Sequence, residues 1–98
     1  MRSLLALLTL AISTPSALSG EMPSLGARCL SCHGADGRPS LADVPIIAGQ
    51  QPIYLANAIR AYRDGQRAAG QALVMHEIVK DVTDAEIEAL AQWFGAQQ

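Results

Sequence analysis

Cys29, Cys32 and His33 stand together in the stretch RCLSCHGADG, and the chain has no other cysteine and only one other histidine, His76. Two thiols and an imidazole at that spacing have few chemical uses. A disulfide within C-x-x-C closes a tiny loop, and so short a closure constrains the unfolded chain least. A dithiol redox pair of the thioredoxin type belongs in a βαβ setting, and no convincing strand pattern is present. Structural zinc takes four ligands, so His76 would have to supply the fourth from a region with no second C-x-x-C. None of these uses gives His33 a reason to follow Cys32 directly.

Covalent haem attachment does. In C-x-x-C-H the two thiolates add across the two vinyl groups of the macrocycle, and the next residue on the same helical turn brings its imidazole under the iron. Cys29 and Cys32 are then the thioether carriers and His33 the fifth ligand. Candidates for the sixth position are Met75, Met22 and His76. Met22 lies too close before Cys29 to reach the opposite face, whereas Met75 follows a helix and a loop, enough chain to cross the ring. Met75 and His76 are neighbours whose side chains diverge by about 100° on a helix, so only one can face the iron. Ile78, Val79 and Val82 mark an inward face about one turn on and favour Met75, but the residues alone leave His76 open. A thioether would raise the reduction potential and an imidazole would lower it.

Helices must bring these groups together. Pro23–Cys32 reads as a short helix, with Pro23 suited to a first turn and Leu25 and Cys29 at i and i+4. Gly26 in that helix leaves room for close approach to Trp93 or Phe94. Gly34, Gly37 and Pro39 open a loop that runs to Gly49. A second helix is predicted from about Gln51 to Asp64, with Pro52 near its start, Leu55, Ile59 and Tyr62 on one face and Gly65 just past its end. LVMHEIVKD is expected to be helical in part. The last helix is the clearest: Thr83 and Glu86 form a T-x-x-E capping box, and Ile87, Leu90, Ala91 and Phe94 make one apolar stripe.

Composition sets the frame. At 98 residues the chain is one domain, and its N-terminus has the pattern of a secretory signal: Arg2, the run LLALLTLAI, then the small residues Ala17–Ser19. The apolar run is about half of the roughly 20 residues a membrane span needs. The expected organisation is a cleaved signal over 1–19 and a mature domain over 20–98 with no membrane span. Four aromatic residues, Tyr54, Tyr62, Trp93 and Phe94, leave so short a chain little bulk for a core, and a large flat cofactor would fill it. Those four read as core or pocket packing. Seven Lys and Arg against nine Asp and Glu give a net charge of −2 without a basic run, which argues against a nucleic-acid partner. Arg60, Arg63 and Arg67 would suit a haem propionate, although solvated helix faces account for most such charges.

In order along the chain, CLSCHGADG, VPIIAGQ, YLANAIRAYRDGQR and VMHEIVKDVTDAEIEALAQWF resemble a bacterial class I c-type cytochrome over nearly the whole mature length. The resemblance implies an all-α fold of three to four helices wrapped around one covalent haem c. It implies thioether links at Cys29 and Cys32, axial ligation by His33 and Met75, and a Pro45 carbonyl that holds the His33 Nδ1 proton. The implied function is single-electron transfer in the periplasm with redox protein partners, and no catalysis by the chain itself. Within the family the last stretch is most similar to the small cytochrome subunit of flavocytochrome c sulfide dehydrogenase, so a flavoprotein partner is the alternative. An open-site haem sensor or enzyme is a further one, should neither Met75 nor His76 ligate.

Overall fold

The computed structural model describes residues 5–11 and 20–98. Leu5, Leu7, Leu8 and Leu10 are exposed and belong to no helix. The remainder of the expected signal, with its cleavage point after Ser19, lies outside the described residues. A 3-10 turn, Ser24–Gly26, leads into α1 (Ala27–His33), and α2 (Pro52–Arg63), α3 (Ala72–Val79) and α4 (Asp84–Gly95) follow. The described residues contain no strand.

α2 and α4 form the frame. Leu55 and Ala56 of α2 pack against Ile87, Leu90, Ala91 and Phe94 of α4, and Val79 and Val82 close one end of this buried cluster. Both helices begin as their sequences dictate. Pro52 occupies the first turn of α2, where its missing N–H costs nothing. At α4 the Glu86 N–H donates to Thr83 Oγ1 at 3.2 Å and the Thr83 N–H to Glu86 Oε1 at 3.0 Å, so two of the helix's unpaired donors are satisfied reciprocally. Asp84 and Glu86 add negative charge where the helix dipole favours it.

Charge joins the two helices outside the core. Arg63 donates to Asp84 at 2.7 Å and to the Val82 carbonyl at 3.2 Å, and Arg60 reaches Asp84 and Glu88. The Arg63 hydrogen bond, reinforced by its charge, holds the Asp84 carboxyl below the usual aspartate range. Two of the three arginines considered for a propionate are therefore committed to carboxylates.

Around the frame the remaining segments attach more lightly. The 3-10 turn packs on α4, and Trp93 Nε1 donates to the Gly20 carbonyl at 3.1 Å. Gly26 is buried, but what fills the space over it is Met22, whose Sδ would lie 2.8 Å from an added Cβ. A methionine, whose flexible thioether chain fits an irregular gap, thus occupies the space over Gly26 while the turn packs on α4. The expected first helix also divides: its first turn is 3-10, and only Ala27–His33 is α-helical.

Ile87 is 0% exposed at the centre of the α2–α4 contact. Ile87→Ala should destabilise the protein by about 2–5 kcal/mol, read from chemical denaturation. Because the Asp84 pKa is lowered on folding, its contribution is full above the ordinary aspartate value of about 4 and is lost as pH falls through the lower native value. Asp84→Asn should therefore reduce stability at neutral pH and flatten the decline below about pH 4, measured as Tm against pH.

Candidate haem-binding site

α1 stops immediately after His33, and one residue makes it stop. Gly34 takes φ +83°, and a Cβ there would lie 2.3 Å from the Arg38 carbonyl oxygen. The Gly34 N–H still donates to the Leu30 carbonyl at 3.0 Å, closing the last turn while the chain swings away. Gly37 performs a second close approach: it has φ +88°, its carbonyl accepts from Ile47 and Ala48, and Ala48 N lies 2.9 Å from where a Cβ would sit. This folds the 34–49 loop back so that VPII lies beside the end of α1.

That return brings the Pro45 carbonyl to 2.9 Å from His33 Nδ1. A carbonyl oxygen only accepts, so Nδ1 carries the proton and Nε2 keeps a free lone pair. His33 is 7% exposed, which protects this bond from competing water. Cys29, half-buried on the same helix, has its thiol pKa pushed up by burial, with the neighbouring Arg28 charge opposing. Cys32 is exposed, and neither cysteine is in a disulfide.

The space in front of these groups is an apolar crevice in two adjoining parts, of about 170 and 190 Å³. Cys29, His33, Pro45, Tyr62 and Met75 line both parts, and Cys32 lines the second. His76 lines neither. Its Nδ1 donates to the Tyr62 carbonyl at 2.6 Å. Met22 is spent against Gly26. Among the described residues no three His, Cys, Asp or Glu side chains converge as the zinc alternative would need. Of the sequence candidates, the structure gathers Cys29, Cys32, His33, Pro45 and Met75 about one crevice and leaves out Met22 and His76.

Arg67 lies at the crevice wall with its guanidinium 5.4 Å over the Tyr62 ring. Polar contact with Tyr62, and then with Tyr54, raises its pKa. Among the described residues it pairs with no carboxylate, in contrast to Arg60 and Arg63. The sequence grouped these three arginines together, and only the position of α4 separates their surroundings. The reach of Gln71 to Asp43, 3.1 Å across the second part of the crevice, had no signal in spacing or composition.

The family model for cytochrome c matches residues 24–96. The chain belongs to the cytochrome c family. This cytochrome is 37% identical over 70 residues to cytochrome c-554(548) of Halomonas halodenitrificans, a match covering 71% of this chain and 84% of that one. It is 37% identical over 76 residues to the cytochrome subunit of sulfide dehydrogenase of Chlorobaculum tepidum, covering 78% of this chain and 64% of the relative. Its fold superposes on cytochrome c4 of Acidithiobacillus ferrooxidans with a TM-score of 0.68 and 34% identity, covering 74% of this chain and 43% of that structure. The cytochrome thus spans less than half of the latter protein.

As a family member this cytochrome transfers electrons through a covalently bound haem c and is not itself a catalyst. Its residues fit the group. Two free thiols, an imidazole with an available Nε2 and a thioether surround a slot lined mainly by aliphatic side chains. Among the described residues no helix is long and apolar enough to cross a membrane. Gly34→Ala should cost more than the roughly 1 kcal/mol typical of a glycine replaced at an incompatible angle, because the backbone of Arg38 blocks the new methyl. The expected readout is a lower denaturation midpoint and a lower yield of haem-loaded protein.

Proposed function

We propose that this cytochrome is a periplasmic one-electron carrier in which Cys29 and Cys32 hold the haem by thioethers and His33 and Met75 are its axial ligands. The observation that carries the reading is the shared lining: Met75 faces both parts of the crevice that His33 faces, while His76 is turned to the Tyr62 carbonyl. When bound, the haem iron supplies a couple between ferric and ferrous states that differ by one electron.

The chain's own contribution is to hold. The Pro45 carbonyl fixes the His33 ring by its Nδ1 proton, so the other nitrogen keeps one direction in both oxidation states. Met75 brings a neutral sulfur from a separate helix. Two ligands supplied by the protein leave no position for oxygen or peroxide, and two fixed ligands keep the rearrangement between oxidation states small. Leu55, Leu90 and Phe94 form the inner wall and exclude water. Residues 1–19 act in this reading as a signal removed on export, leaving a domain over 20–98.

A second reading is supported by the match to a sulfide dehydrogenase cytochrome subunit. The domain would then receive its electrons within a complex from a flavoprotein partner. A stable partner that co-purifies at stoichiometric amounts supports that reading, whereas a carrier forms only small, transient interfaces.

Optical spectra of the oxidised holoprotein test the ligand set. The wild type is expected to have the far-red sulfur-to-ferric-iron band, and Met75→Ala is expected to lose it, to fall in reduction potential and to bind carbon monoxide rapidly when reduced. A wild type without the band, or a Met75→Ala variant that keeps it, would exclude Met75 as the ligand.

A further inference from the structure

Met75 rides on a short helix whose apolar hold is Val79, with Met75 and Ile78 partly buried against the core. α3 has eight residues, a length at which an isolated helix is unstable in water, and it fully buries only Val79. Leu73 is 51% exposed, and Val74, 56% exposed, lines the crevice. Polar ties add to this hold and fix the rotation of α3. The cap residue Gln71 donates to Asp43 at 3.1 Å, and Arg28 donates to the Ile78 carbonyl at 3.2 Å and to Asp81 at 2.9 Å. Both ties are exposed, where water competes and an ion pair contributes little. The third is His76 Nδ1 to the Tyr62 carbonyl, 2.6 Å long, partly buried and one residue from Met75.

The accepting group lies in the last turn of α2, where carbonyls lack helical partners. Among the described residues only the Gly65 N–H also approaches it, at 3.3 Å. Tyr62 therefore has two functions on its two sides: its side chain lines both parts of the crevice, and its main-chain oxygen holds the helix that presents Met75. Adjacent helical side chains diverge by about 100°, so a bond that fixes His76 outward also fixes the rotation at which Met75 points inward.

We propose that His76 is a positioning residue for the sixth ligand, its Nδ1–H bond to the Tyr62 carbonyl locking α3 so that the Met75 sulfur stays on the crevice. The inference rests on the reading of Met75 as that ligand. Without the bond α3 rotates or frays at its centre, the sulfur leaves for part of the time, and an external ligand competes for the iron.

Ferric holoprotein carrying three separate substitutions tests this. His76→Phe keeps the bulk of a ring but has no donor, and His76→Asn returns an N–H near the position of Nδ1. Thr83→Ala weakens the α4 cap away from Met75 and controls for a general loss of stability. In His76→Phe the far-red band should fall and imidazole should bind about tenfold more tightly, a change of the size one well-made hydrogen bond produces. His76→Asn should restore both, and Thr83→Ala should lower Tm while leaving both unchanged. If His76→Phe changes Tm but neither the band nor imidazole binding, His76 is only a cap for α2 and the proposal is overturned. His76→Ala, measured at low temperature, gives the same decision should the phenylalanine ring prevent folding. A wild type without the band overturns Met75 ligation and this role together. A band lost in Met75→Ala and untouched in the His76 variants overturns this role alone.

Discussion

The hydrogen bond between His33 Nδ1 and the Pro45 carbonyl sets the terms for the rest of the molecule. It requires a helix that ends at His33, a loop that doubles back within twelve residues, and a dry environment in which a single neutral bond can fix a ring. Gly34 meets the first requirement and Gly37 the second. The loop is tied onward by the Gly49 N–H to the Phe94 carbonyl at 3.0 Å, so the orientation of the imidazole is referred to α4, the best-buried helix of the fold. A change in α4 therefore reaches His33 through main-chain bonds without touching it.

The described core is modest: three residues of α2 and α3, Val82 between helices, and four residues of α4. Half-buried Ile47, Ile59, Tyr62, Met75 and Ile78 surround it with their remaining faces on the crevice. Those faces need a partner that the described residues do not supply. A large flat macrocycle provides it, and the chain's scarcity of aromatic residues becomes intelligible, because the cofactor itself fills the centre of the fold. Binding and folding are in this sense parts of one process.

What was legible in the sequence was whatever is local. C-x-x-C-H, the T-x-x-E box at Thr83 and the stripe through Phe94 each depend on residues within a few turns of one another, and the structure reproduces the box and the stripe residue by residue. The second helix was predicted within a residue of its ends because Pro52 and Gly65 bracket it. Contacts between distant segments were less accessible. Spacing alone did not decide between Met75 and His76, since that depends on which carbonyl of α2 lies beside α3. Gly26 offered room without saying that Met22, four residues back, would use it. The three arginines near the end of α2 were indistinguishable by type, and only the position of α4 divides them into two paired cations and one facing tyrosines.

Arg67 would also affect the energies of the two oxidation states of a haem held in the crevice. The ferric form carries one more positive charge than the ferrous form, and a wall of aliphatic side chains solvates that charge poorly. A guanidinium at the same wall, with aromatic hydroxyls for neighbours and no carboxylate paired to it among the described residues, repels the added charge as well. Low dielectric and a cation would thus act with the same sign, both making the electron harder to remove from a haem held there. Asp43, on the rim of the second part of the crevice, acts with the opposite sign and at a wetter site. Arg67 lines only the first part of the crevice and Asp43 only the second, so their charges would shift the potential of a haem held there in opposite senses.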